Sequence, residues 1–183
     1  QIFGMGGGGF GQSFRRRQTY QLEVGFDEVL HGASKEIDIP DQSGHSKRMN
    51  IKIPAGVDNG TRVRFGEIEI IFKVNWDRQY PREGANILTE AEMTVSQLVL
   101  GDVIDVKTVW GLVKVKIPAG TDPGSLVRIK EKGLPRLQGH GQGDHFVRVG
   151  IEIPKKLSSE EKELYEKLAR VTANAKSKKH PWF

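Results

Sequence analysis

The chain has 183 residues, 28 basic and 23 acidic side chains, a formal charge of +5 and 37% hydrophobic residues, and its pI is near 9.4. It contains no cysteine, which excludes disulfides, cysteine-based zinc sites and thiol chemistry. No apolar run approaches the roughly 18 residues of a membrane span, so the composition is that of an ordinary soluble globular protein with no membrane partner, and the cytoplasm is the default location.

Residues 1–17 read as the end of a flexible linker. The glycine-rich run through Phe14 can bury almost no surface, and glycine loses the most backbone entropy on ordering. The segment starts without an initiating Met and lacks the layout of a signal peptide, so the chain is expected to be a fragment of a longer one. Much of the basic excess sits near the two ends, in Arg15-Arg16-Arg17 and in Lys176, Lys178 and Lys179, where flexible cations are usually solvated.

From Thr19 the period is two, with Tyr20, Leu22 and Val24 on one face, as in a half-buried strand. Phe26, Val29 and Leu30 then fall at helical spacing and stop at Gly32, a natural helix end. Ile37 and Ile39 alternate with Glu36 and Asp38 in a second strand that Pro40 ends. A polar loop, Asp41 to Lys47, leads to Met49, Ile51 and Ile53. This third strand runs into Pro54-Ala55-Gly56-Val57-Asp58-Asn59-Gly60, a break rich in turn chemistry.

That stretch occurs twice. Residues 51–65 set against 115–129, a shift of 64, are identical at nine of fifteen positions. Upstream, with a shift of 69, Val24 falls over Met93, Val29-Leu30 over Leu98-Val99, Gly32 over Gly101 and Ile37 over Val106. The repeat therefore covers a whole module of strand, short helix and strands. The two copies differ in length twice. The first has five more residues in its middle loop, whereas Lys130 to Gln142, thirteen residues in the second, has no counterpart after Phe65. Each copy closes on an alternating strand, Ile68 to Val74 and Phe146 to Ile153. Asp77 to Asn86 reads as the connector.

After Pro154 the register becomes helical. Ser158 with Glu161 makes a capping box, acidic residues fill the first turns, and Leu164, Leu168 and Val171 recur on one face. An amphipathic helix over 158–171 follows, and it either caps the second module or pairs with another chain.

Catalytic signals are sparse. His31, His45, His140, His145 and His180 lack the frame of a nucleophile elbow or a metal-binding helix and read as surface and loop histidines. Gly139 to Asp144 superficially resembles a phosphate-cradling loop, but it leads into a strand, so its glycines serve turns. Trp76, Trp110 and Trp182 could stack bases, yet they lie in separate segments. No enzyme, no metal and no cofactor is expected.

One family accounts for the whole order of features. The glycine- and phenylalanine-rich lead-in, the run from Tyr20 to Ile37, the twin Ile-Pro-Ala-Gly turns, Lys132-Gly133-Leu134-Pro135-Arg136-Leu137 and Pro154-Lys155-Lys156-Leu157-Ser158 together resemble the C-terminal substrate-binding region of DnaJ-type co-chaperones. The absence of a Cys-rich module, where Asp41 to Lys47 stands instead, makes the zinc-free subclass the nearer likeness. The resemblance implies a mainly β fold of two tandem β-sandwich domains, each with one short helix, plus a C-terminal amphipathic helix. It divides the chain into the linker end 1–17, a peptide-binding β domain 18–80, a second β domain 81–154 and a dimerisation helix and tail 155–183.

The resemblance also implies a function. The fragment would bind unfolded polypeptide and present it to a DnaK-type ATPase chaperone in protein folding, heat-shock and stress response, as a homodimer joined through Leu164, Leu168 and Val171. Peptide would add near the edge of the first module and contact Ile37, Ile39 and Met49, with Leu22 on the floor and Tyr80 beyond the module. Gln18 stands where relatives often carry an aliphatic residue. His180-Pro181-Trp182 is not the His-Pro-Asp motif of a J domain, so the chain by itself is expected to bind clients and dimerise without stimulating the partner's ATPase. DNA is the alternative partner, motivated by the pI and by relatives that bind curved DNA.

Overall fold

The computed structural model describes residues 18–40, 46–66 and 68–177, with side chains for all of these except Pro40 and 175–177. The linker 1–17, most of the first middle loop, His45, His180 and Trp182 lie outside the described residues.

The alternating run Gln18–Val24 forms β1, and the helical triplet forms α1, Phe26–His31. Glu28 of α1 accepts the Gly25 N–H at 2.7 Å, and the helix stops where Gly32 N–H donates to Glu28 O at 2.8 Å. Next come β2 (Ala33–Pro40) and β3 (Ser46–Ile53), an antiparallel pair. They are followed by β4 (Arg62–Phe65) and β5 (Ile68–Val74). β5 lies between β4, antiparallel, and β1, parallel. The hairpin β2–β3 packs across this three-stranded sheet. Ile39, Ile51 and Ile53 from the hairpin meet Val24, Ile68, Ile70 and Phe72 from the sheet in one buried cluster, with Val29 of α1 closing one end.

The second copy repeats the plan. β7 (Asn86–Thr94) is followed by α2 (Val95–Leu100), then by the hairpin β8 (Asp102–Thr108) and β9 (Gly111–Ile117), and by β10 (Leu126–Ile129) and β11 (His145–Glu152). β11 pairs parallel with β7 and antiparallel with β10, matching β5 with β1 and β4. One strand is new, the two-residue β6 (Arg82–Glu83) inside the expected connector, which extends this sheet beyond β7. Met93, Leu98, Val106, Val115, Ile117, Val147 and Val149 make the second core. The fold is thus mainly β, as two small two-layer sandwiches each holding one short helix.

The C-terminal helix α3, Ser159–Ser177, opens on the expected box: Glu161 N–H donates to Ser158 Oγ at 3.2 Å and Ser158 N–H to Glu161 Oε2 at 2.7 Å. It runs six residues past the expected end at Val171. The apolar stripe ends there, and Thr172 Oγ1 donates back to Leu168 O at 3.0 Å and Ala169 O at 3.1 Å.

One histidine departs from the surface reading. His145 at the start of β11 is fully buried, because its side chain falls on the inward face with Val147 and Val149. Its Nε2 meets Thr89 Oγ1 at 2.8 Å, and its Nδ1 has no partner. Burial lowers its pKa from the ordinary histidine value near 6.5. The folded state therefore binds fewer protons than the unfolded state, so this contribution to stability is complete above about pH 6.5 and is lost as pH falls below it. Urea midpoints are expected to drop between pH 6.5 and 5 in the parent chain, and to drop less in His145→Gln. Equal slopes would remove His145 as the cause.

Candidate functional site: an open apolar end of the first sandwich

Along β1 and β3 burial falls off with distance from α1. Along the inward face of β3, Ile53 and Ile51 are almost completely buried, Met49 is half-buried and Lys47 is exposed. Along β1 the same order runs from buried Val24 through half-buried Leu22 and Tyr20 to exposed Gln18. The two layers are sealed by α1 at one end; towards the other, β1 and β3 leave their apolar side chains half-buried, while Ile39 of β2 and Ile68 of β5 stay buried. Ile37 of β2 lies directly opposite Met49, and both are half-buried against the core, as are Tyr20, Leu22 and Phe65. Apolar side chains at a sandwich opening keep part of their surface in water, and burying that remainder is available to a ligand.

Backbone polar groups are available beside them. β2 pairs only with β3, and β1 only with β5, among the described strands. β2 thus has one edge with no strand neighbour among the described strands, the geometry that accepts an added strand. Lys35 ties β2 to its surroundings, donating to Glu23 O of β1 at 2.8 Å and pairing with Glu28 at 2.7 Å. Burial works to raise the Glu28 carboxyl pKa, but the bonds from Lys35 and from Gly25 N–H outweigh it and hold it below the usual range. This ion pair anchors the α1 end of β2, so the unpaired edge is held in place.

Four of the five residues expected to contact peptide come together here. Leu22, Ile37 and Met49 are half-buried and Ile39 is 5% exposed, all on the first core. Ile39 therefore acts mainly as a wall of the sandwich. Tyr80 stands elsewhere: it is 6% exposed in a separate cluster with Leu30, Ile87 and Leu134, and its ring stacks on Phe26 with centroids 5.7 Å apart.

The hairpin of the second module is more closed at the position matching Ile37, although Val113 and Ala91, matching Met49 and Leu22, are likewise half-buried. Val106 replaces Ile37 and is 6% exposed, while Thr108 replaces Ile39 and is 2% exposed. Thr108 Oγ1 donates to Gly111 O at 2.8 Å and accepts from Trp110 N–H at 3.1 Å, closing the β8–β9 hairpin over two residues. Sequence reading missed the third cluster, where Trp76 and Trp110 are packed rather than presented to a base. The concentration of aromatics around the connector was the available signal.

A second apolar surface lies at the chain end. Leu164, Leu168 and Val171 of α3 are all more than half exposed, and with Tyr165 the first two face Val95, Val99 and Leu100 of α2 across a cleft of about 420 Å³. Leu100 is 77% exposed. The helix does not cap the second module by burying its stripe.

No described group of His, Asp or Glu could hold a metal ion, and no described helix is long and apolar enough to cross a membrane.

Comparison with known proteins gives a consistent likeness. The DnaJ C terminal domain family matches residues 18–154. A chaperone protein DnaJ from Bacillus cereus is 40% identical over 154 residues, covering 77% of this chain and 40% of that protein. Those from Nostoc punctiforme and Halalkalibacterium halodurans are 40% identical over 147 and 139 residues, covering 73% and 69% of this chain and 39% and 38% of theirs. The chain thus spans about two fifths of the length of the curated relatives it matches.

Proposed function

Because this chain belongs to the DnaJ C-terminal domain family, we propose that it is a chaperone module that holds non-native polypeptide at the open end of its first sandwich and passes it to a DnaK-type ATPase chaperone. The observation that carries the reading is the juxtaposition of half-buried Leu22, Ile37 and Met49 with an unpaired, ion-pair-anchored β2 edge. An extended peptide there gains main-chain hydrogen bonds from the edge and apolar burial from the opening, and neither demands a particular sequence. Met49, unbranched and polarizable, adapts to varied side chains. Residues 18–80 then form the binding domain, 81–154 the spacer and 155–183 the dimerisation segment, with a second copy on the α2 and α3 stripe. A cytoplasmic setting fits this role, and no chemical step is required of the chain.

A fluorescent seven-residue peptide with alternating apolar residues is expected to bind with micromolar affinity, and the same peptide with Asp at the apolar positions to lose it. Equal affinities would defeat the reading. Binding that instead falls steeply with salt would favour an electrostatic partner such as DNA. The basic pI motivates that alternative, whereas Arg48, Arg62, Lys73 and Lys114 are each paired with a neighbouring acid on the strand surfaces.

A further inference from the structure

The thirteen-residue insert, the largest difference between the two copies, lies between the modules. Leu134 is fully buried, beside Leu30 of α1, Ile87 of β7 and Tyr80 of the connector. The insert is fastened to the connector by Leu134 N–H donating to Ala85 O at 2.8 Å, and to the second hairpin by Trp110 Nε1–H donating to Gly133 O at 2.6 Å. On the other side it meets the first repeated turn. Gly56 has φ +77°, and a Cβ there would collide with Pro135 O. The matching Gly120 of the second copy faces open space.

Aromatic contacts complete the joint. Phe26 of the first module packs edge-on to Trp76 at 5.2 Å and stacked on Tyr80 at 5.7 Å, and His31 meets Trp110 edge-on at 5.7 Å. Trp76 Nε1–H donates to Tyr80 O at 2.8 Å. Arg82 covers the Trp76 ring at 4.9 Å and reaches back to Asp58 at 3.4 Å. Domains joined through small polar interfaces move by default, whereas a buried apolar interface with directional bonds on both sides resists it.

We infer that this cluster is a fixed elbow, built by the insert, that sets the direction of the first module's opening relative to α3, with Tyr80 and Leu134 as its positioning residues. The inference rests on the client-binding reading for its purpose. Two openings held at a fixed separation in a dimer would engage one long client together, whereas freely swinging ones would do so with a lower effective concentration.

Because the chain has no cysteine, spin labels can be placed singly through Lys52→Cys and Lys116→Cys, equivalent exposed positions on β3 and β9. At dilutions where labels in one chain dominate, a single narrow distance distribution is expected, and also in Tyr80→Phe, which keeps the stacked ring. Tyr80→Ala with Leu134→Ala should broaden the distribution at least twofold while each module keeps its circular dichroism and the short apolar peptide binds unchanged. A broad distribution in the otherwise unaltered chain, or an unchanged narrow one in the folded double variant, overturns the elbow. If the double variant does not fold, Arg82→Gln with Tyr80→Leu is read in the same way. Failure of the unaltered chain to bind the peptide counts against the client-binding reading alone, because the distance measurement does not depend on it.

Discussion

Ile37→Glu combined with Met49→Lys is expected to abolish client binding while leaving the first module folded. The two side chains are direct cross-strand partners, so opposite charges support the hairpin where two acids would repel. Both residues are half-buried, so the new charges can reach water. The lost apolar contacts are worth about 1.5–3 kcal/mol each when fully buried, and a combined loss of about 3 kcal/mol corresponds to roughly a hundredfold in Kd. Anisotropy of the labelled peptide and suppression of aggregation of an unfolded client measure the effect, and a thermal melt checks the fold. Ile39→Glu makes the contrast, since at 5% exposure the charge would be buried without a partner and the module should unfold. Undiminished peptide binding in a folded double variant would remove the assignment of the opening as the client site.

Leu164→Lys with Leu168→Lys in α3 is expected to convert a dimer into monomers. The exposed stripe of α3 faces the equally exposed Val99 and Leu100, and in the proposed dimer a second copy would cover apolar surface on both. The helix itself should persist, because its capping box and the Glu163–Lys167 pair at 2.8 Å do not involve the substituted positions. Monomers should bind a single short peptide with unaltered affinity and yet hold large aggregating clients poorly, since linking two sites raises avidity by about 10²–10⁴-fold. Deletion from Leu157 should do the same. Sedimentation equilibrium that returns an unchanged dimer mass for the variant would rule out this surface as the dimer contact.

These two surfaces differ in how far the sequence revealed them. The α3 stripe is a local pattern: Leu164, Leu168 and Val171 share a helix face by spacing alone, so their grouping needed no tertiary information. Exposure of that stripe did, because helical periodicity is the same whether the stripe packs on its own chain or on another. The proposed peptide site was suggested at Ile37, Ile39 and Met49 by family likeness, but period-two alternation cannot say where along an inward face the core stops. Only the folded packing separates the wall residue Ile39, buried on β2, from half-exposed Ile37 on the same strand and Met49 on β3. Tyr80, near the end of the first module in sequence, was joined by folding to Phe26 and Leu134, 54 residues before and after it.

The sequence by itself determined the doubled module, the order of its main strands, the two short helices and their glycine stops, and the capping box of α3, because each rests on residue spacing or on turn chemistry within a few positions. Only the tertiary structure decided which strands are neighbours, notably the parallel pairings of β1 with β5 and of β7 with β11. It also decided that His145 is buried and that the extra loop of the second copy wedges between the modules against Gly56. These are contacts between residues far apart in the chain, and their partners are selected by the closing of a shared core, which no local pattern encodes.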